Sequence, residues 1–391
     1  MRRIAYTGPD RQLHLIGADG RDATQLTLDL SRNPLLVWGR PELSSSAWSW
    51  PSWSPDGQRI ACFELPDGDD VSRPARVHVL DTDGVRQIEL VSLSGRIPIY
   101  CFWRPDGQGL AILMQSEDQL VLGYAALDQP GQLRILEEGV PLFFAWAPDG
   151  RRVLIHTGVL NQPGSSRLVM RDSQGRMPDE ILPQTPGNFC TPVFVGRRLV
   201  QVERRGTVNR LLVSDEAGGG ARSLLEFQGL GAVVPVPGSR RVAFSAAPAG
   251  QGSPYRGVTL VDVETGALQR LTEDDCLAFF WSEARGQLLY ARVDTAENCL
   301  SWHGARVGEE PVTLCRFWPT REMLFFLHFF DQFSLSHSLL SPDGGTLVFA
   351  GHLTGGATDR ASARVWVLDL ATDEAPRELA RGGFGCFEPS R

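Results

Sequence analysis

Apolar and polar positions along this chain alternate in short runs, and the runs keep a fixed relation to one turn. Trp53-Ser54-Pro55-Asp56-Gly57 precedes Arg59-Ile60-Ala61-Cys62-Phe63, and Trp103-Arg104-Pro105-Asp106-Gly107 precedes Leu110-Ala111-Ile112-Leu113. Trp146-Ala147-Pro148-Asp149-Gly150 precedes Val153-Leu154-Ile155, and Leu340-Ser341-Pro342-Asp343-Gly344 precedes Thr346-Leu347-Val348-Phe349. Proline presets φ, aspartate bonds the local backbone and glycine accepts positive φ, so each copy reads as a hairpin turn between two strands. Worn copies stand at Phe194-Val195-Gly196-Arg197-Arg198, Val236-Pro237-Gly238-Ser239 and Trp281-Ser282-Glu283-Ala284-Arg285-Gly286. The turn glycines Gly57, Gly107, Gly150, Gly196, Gly238, Gly286 and Gly344 lie 42 to 58 residues apart. A hairpin unit recurring at that period predicts radial repetition, an all-β propeller.

A second count uses the alternating third strand of each unit. It is found at 13–16, 77–80, 120–124, 168–172, 211–215, 258–262, 299–302 and 365–369, which makes eight, one more than the turns. The chain opens inside a unit, since Arg3-Ile4-Ala5-Tyr6 is a second strand with no first strand before it. It closes on Phe384-Gly385-Cys386-Phe387-Glu388-Pro389-Ser390-Arg391, which has the form of the missing first strand. The expected fold is one domain over 1–391, an eight-bladed β-propeller. Its first blade is shared by about 3–27 and 384–391, so that N- and C-terminal strands pair and no open edge remains. Seven blades is the alternative if worn units merge.

One stretch escapes the repeat. Residues 316–338, between the seventh and eighth units, contain Pro319-Thr320-Arg321-Glu322-Met323 and then the long or aromatic run Leu324 to Phe333, without Gly or Pro. Thr320 suits an N-cap and Glu322 a first turn. A helical insert near 319–335, apolar on most sides and therefore buried, is expected; a buried strand is the competing assignment. Asp331, Gln332, Ser334, Ser336 and His337 supply polar groups that need partners if buried. They read either as a cluster contacting a ligand or partner, or as a satisfied network seating the helix. Trp48 and Trp50 fall outside the repeat and read as partner anchors or as side chains stacked within a sheet.

Composition narrows the chemistry. The formal charge is −8, from 46 acidic and 38 basic residues, which argues against a nucleic-acid partner. All the basic residues are arginine, so a Walker A phosphate site, a lysine Schiff base and a lysine general base are excluded. Cys62, Cys101, Cys190, Cys276, Cys299, Cys315 and Cys386 are odd in number and include no Cys-x-x-Cys, which suits a reducing, cytoplasmic location. The N-terminus lacks the apolar stretch of a signal peptide, and no apolar run reaches membrane-spanning length. Gly-x-Ser-x-Gly and His-Glu-x-x-His are absent. The turn Asp81-Thr82-Asp83-Gly84 lacks the downstream glutamate of a calcium loop, and Pro66-Asp67-Gly68-Asp69-Asp70 reads as a solvated acidic turn.

The Trp/Leu-x-Pro-Asp-Gly repeats, over nearly the whole chain, resemble the TolB-type or WD40-like Pro-Asp repeat, found in TolB propellers and in those preceding prolyl-oligopeptidase-family catalytic domains. The resemblance implies a propeller, not an activity. The function it suggests is a non-enzymatic scaffold binding a protein or peptide partner on its central-channel face, near the insert. The partner could be a separately encoded catalytic or transport subunit. No catalytic residue, metal or cofactor is expected. The resemblance also carries an alternative, a small-ligand site or a metal-dependent lyase in the channel, because related propellers include pectic-oligosaccharide lyases that use clustered His and Gln; His78, His156, Gln332 and His337 are the residues to watch.

Overall fold

The computed structural model describes residues 2–28, 46–66, 73–159, 162, 164–187, 190–249, 254–282, 285–355, 362–372 and 374–389. The acidic run 67–70 and the last two residues of the 384–391 segment lie outside them. The chain divides into two compact units, Met1–Ile135 with Pro319–Met323 and Ser336–Arg391, and Leu136–Trp318 with Leu324–Leu335.

In the first unit, one sheet orders Thr24–Gln25, Leu13–Gly17, Arg3–Thr7 and Phe384–Phe387. Its last pair is antiparallel, with Ile4 opposite Phe387 and Thr7 opposite Phe384. The next sheet runs Ser46–Trp53, Arg59–Pro66, Ala75–Asp81 and Gln87–Leu93 in chain order. Ile97–Trp103, Gly109–Ser116 and Gln119–Ala126 follow in the same antiparallel manner. Thr346–Leu353, Arg364–Asp369 and Arg377–Arg381 form a further antiparallel set, with Leu340 bridged to Leu347.

The second unit repeats the four-strand meander. Its sheets are Leu142–Trp146, Arg152–Thr157, Arg167–Asp172 and Glu180–Ile181; then Val193–Val195, Arg198–Arg205, Val208–Ser214 and Arg222–Phe227. Gly231–Pro235, Arg241–Ala246, Tyr255–Asp262 and Leu268–Cys276 come next, followed by Ala278–Ser282, Gln287–Asp294, Cys299–Arg306 and Val312–Pro319.

Both faces of these sheets are covered, so their second strands are near-continuous apolar runs. In the first unit Phe63, Val77 and Val79 meet Cys101, Ile112 and Met114 of the following sheet. In the second, Leu154, Leu168 and Met170 meet Leu199, and Val200, Val202 and Leu211 meet Val233, Val242 and Phe244. Full burial of each such side chain contributes about 1.5–3 kcal/mol. The seven cysteines are free thiols, and all but Cys315 are buried.

A recurrent clasp links successive sheets of the first unit. The Arg3 guanidinium lies 5.1 Å from the Trp53 ring centroid and donates to Gly57 O at 2.7 Å. Arg59 lies 5.5 Å from the Trp103 ring centroid and donates to Gly107 O at 3.0 Å. Each tryptophan donates its indole N–H backwards, Trp53 to Cys386 O and Trp103 to Ser52 O. The repeated Trp is therefore a packing residue with a satisfied polar tip, stacked by a cation.

Candidate functional site

The insert forms α1, Arg321–His328, and α2, Phe330–Phe333. Thr320 caps α1: its hydroxyl oxygen accepts the Met323 N–H at 3.0 Å and its O–H donates to Gly383 O at 2.5 Å. Met323, Phe326, Leu327, Phe330 and Phe333 are buried at helical spacing. The insert is not buried all round, as its composition suggested. Leu324 is 37% exposed, Phe329 is 43% exposed, His328 is exposed and Phe325 is half-buried. Phe325 and Phe329 pack against each other with ring centroids 5.1 Å apart. His328 Nδ1 donates to Leu324 O at 2.9 Å, which leaves Nε2 outward. The apolar residues simply outnumber the positions that one helix face can bury.

α2 is fixed to the second unit by polar bonds. The Gln332 amide brackets the backbone of Phe144: its Oε1 accepts the Phe144 N–H at 3.1 Å and its Nε2 donates to Phe144 O at 2.9 Å. Asp331 accepts the Thr191 N–H at 3.4 Å, and burial raises its pKa. Burial also raises the Tyr255 hydroxyl and Cys190 thiol, each with Asp331 as a second cause. Tyr255 packs edge-on to Phe330, with ring centroids 5.9 Å apart. Beside this group, His156 Nδ1 donates to Cys190 O at 3.3 Å, and burial lowers its pKa to about 4.

His156 and Gln201 each stand two residues beyond Leu154 and Leu199, which pack together, so alternation places them in the same layer between two sheets. The His156 Nε2 and both amide heteroatoms of Gln201 are buried without hydrogen-bond partners. Ser334 closes the turn after α2 at partial exposure.

The other expected site residues belong to the first unit. His337 is buried among the rings of Trp50, Tyr100 and Phe384, with centroids 6.1, 6.0 and 6.1 Å away. The Ser336 hydroxyl lies 2.6 Å from its Nδ1, and burial holds its pKa near 3. Trp50 precedes Pro51 and sits at φ 53°, where the strand register slips between Ser49 and Ser52. That left-handed backbone before a proline is disfavoured and turns the ring onto Phe384, 5.0 Å away.

Trp48 is buried. Its ring lies 4.8 Å from His78, whose Nε2 contacts Glu64 Oε2 at 2.9 Å and whose Nδ1 contacts Gln87 at 3.1 Å. Burial would raise Glu64, but hydrogen bonds from His78 and Ser46 outweigh it and bring its pKa down to about 2. Trp48 is thus stacked within its sheet.

The seven expected residues are divided between the two units. Asp331, Gln332 and Ser334 act in one unit; Ser336, His337, Trp48 and Trp50 act in the other. Sequence reasoning missed Thr191, Tyr255, Phe144, Gln201, Tyr100 and Phe384 as neighbours. The pre-proline position of Trp50 was the one signal available. Among the described residues, no group of three His, Cys, Asp or Glu side chains is placed to hold a metal ion, and no helix is long and apolar enough to cross a membrane.

No protein-family model and no curated protein matches the chain. Solved structures do. A prolyl endopeptidase matches at 14% identity and TM-score 0.58, over 88% of this chain and 50% of that one. The β-propeller domain of the Trilobed protease from Pyrococcus furiosus, described as having an open velcro topology, matches at 12% identity and TM-score 0.51, over 86% and 98%. TolB from Acinetobacter baumannii matches at 16% identity and TM-score 0.39, over 68% and 62%. The chain spans half the length of the prolyl endopeptidase and 62% of that TolB. At these identities the likeness is one of fold: a TolB-like β-propeller, similar in architecture to those of prolyl-endopeptidase-family proteins.

Proposed function

We propose that the chain is an eight-bladed propeller, closed by the pairing of 384–387 with 4–7. We further propose that it serves as a non-enzymatic scaffold taking a protein or peptide partner on the face that carries the insert. The observation that carries this reading is the two-sided character of the insert. One side is held by Gln332, Asp331 and five buried apolar side chains. The other presents Leu324, Phe325 and Phe329 to solvent. Large apolar side chains grouped on an exposed helix recover their burial energy only against a partner. Seven free thiols support a reducing, cytoplasmic setting. The partner class proposed is a separately encoded catalytic or transport subunit.

The test compares the parent protein with a Leu324→Glu/Phe329→Glu variant in affinity capture from the source cells. Equal melting temperatures establish that both are folded. Loss of the captured protein in the variant is the expected result. Equal capture by both moves the interface elsewhere. Failure of both to capture protein, with a small molecule or metal co-purifying, favours the ligand-binding or lyase alternative.

A further inference from the structure

The turn at Gly196 is one of the three worn members of the repeat, and its geometry differs from the intact turns at Gly57 and Gly107 in one way. Six residues, 54–59, link paired Trp53 and Ile60, whereas four, 195–198, link paired Phe194 and Leu199. The Pro-Asp segment is missing and the tryptophan has become Phe194. Arg152 occupies the sequence position of Arg59, two residues beyond its turn glycine, and it does not reach Gly196 as Arg59 reaches Gly107. Its Nε donates to Asp149 at 2.6 Å and its Nη2 lies 3.4 Å from Glu216.

The place of the guanidinium is left open. A Cβ built on Gly57 would stand 2.6 Å from Glu388 Oε1, and one on Gly107 would stand 3.2 Å from Arg59 Nη2; one on Gly196 meets nothing within 4 Å. A groove of about 600 Å³ lies over it, walled by Arg152, Arg197 and Arg198 and by Asp215, Glu216 and Glu264.

One acceptor in this groove is under-used. Asp215 Oδ1 accepts the Ala217 and Gly219 amides, and its carboxylate has no ion-pair partner among the described residues. Glu216 Oε2 is paired with Arg152 at 3.4 Å, and its Oε1 is held by Arg197 at 3.0 Å, whose side chain is 88% exposed. Such a surface pair is worth little and is replaceable. Glu264 is paired with Arg198 at 3.0 Å. The two intact seats show what this backbone accepts: a guanidinium donating to the turn carbonyl, as Arg3 does at Gly57 and Arg59 at Gly107.

We propose that the groove over Gly196 binds an arginine side chain presented by a partner polypeptide. The guanidinium would donate to Gly196 O and to the carboxylates of Asp215 and Glu216, displacing Arg197. A planar, five-donor cation matches a carbonyl flanked by carboxylates better than an ammonium does. The −8 charge of the chain favours encounter with such a basic segment. The groove is built from other residues than the insert, so the proposal stands apart from the reading above.

The probe is a fluorescent, terminally blocked Gly-Arg-Gly peptide, run beside its lysine, citrulline and phosphoserine counterparts against the full chain. Arginine binding at least tenfold tighter than citrulline is expected. Glu216→Gln and Asp215→Asn should each weaken it about tenfold. Arg197→Ala should tighten it, because the internal competitor is gone. Equal binding of arginine and citrulline peptides overturns the proposal. So does the absence of arginine binding at millimolar concentration, or preference for phosphoserine with loss in Arg197→Ala. Asp215 and Arg197 are exposed, and matched melting curves establish that the variants are folded.

Discussion

The turns at Gly57 and Gly107 and the turn at Gly196 start from the same hairpin and end with different jobs. At the first two, the Pro-Asp-Gly segment is long enough to bring a carbonyl under an arginine, and that arginine covers a tryptophan whose indole is bonded to the sheet behind. Three weak contacts share one residue, so they hold sheets in register. At Gly196 the turn is two residues shorter, no guanidinium among the described residues is bonded to its carbonyl, Phe194 has no side-chain N–H to offer, and Arg152 turns to carboxylates. Where the clasp is absent, a groove lies over the turn. The worn turns are not alike in this, since Arg241, beyond the worn turn at Gly238, still lies 5.9 Å from the Trp281 ring centroid.

The comparison can be broken most forcefully at the terminal strand. Truncation before Phe384 removes five buried residues, Phe384 to Glu388, among them the partners of Ile4–Thr7 and the acceptor of Trp53. Loss of cooperative folding in calorimetry is expected; a transition like that of the parent would remove the clasped region's claim to hold the chain.

Next in size is Trp53→Ala, which should cost about 3–5 kcal/mol in urea unfolding, as for a buried aromatic residue. Phe194→Ala should cost roughly half of that, since its ring is partly exposed and clasps nothing. Equal losses would show that the worn turn still carries the packing load.

Acid sharpens the contrast between regions that bury a neutral histidine. His337 is held near 3 and His156 near 4 by burial. The unfolded chain takes up their protons first as pH falls below about 6.5. Their stabilising effect is therefore complete above that pH and is lost toward 3–4. Each contributes a slope of up to about 1.4 kcal/mol per pH unit in that window. Urea midpoints at pH 7 and pH 5 should differ accordingly, and His337→Met should reduce the difference by one proton's worth.

Glycine replacements probe the seats directly. Gly196→Ala, at φ 58° with open space, should cost about 1–2 kcal/mol from backbone strain alone. Gly57→Ala, at φ 66°, must also push Glu388 away from Arg3, so its loss should be larger. The smallest expected effect is a gain. Gln201→Leu replaces two unpartnered buried heteroatoms and should stabilise by about 1 kcal/mol. A loss instead would mean that water or a ligand occupies that layer.

Much of the fold was legible because its signals are local. Pro-Asp-Gly sets a hairpin wherever it stands, alternation sets the strand face, and Thr320 with Glu322 marks a helix start, here seen in the Thr320–Met323 bond. Phe384 to Phe387 had the look of a first strand and does pair with the second strand at the N-terminus. The site was less legible. Asp331 and His337 stand six positions apart, yet one bonds Thr191 and the other lies among Trp50, Tyr100 and Phe384. Nothing in the intervening residues announces neighbours more than a hundred positions away.

By itself the sequence determined the strands, their turns, the repeat and the position of the helix, since each rests on φ preferences and apolar spacing within a few residues. Tertiary structure alone decided which face of α1 stays wet, that Trp48 stacks inward over His78 and that Arg152 abandons the turn it would be expected to clasp. Those outcomes depend on which side chains meet across sheets. Distances between sheets are fixed by packing of the whole layer, and no local pattern encodes them.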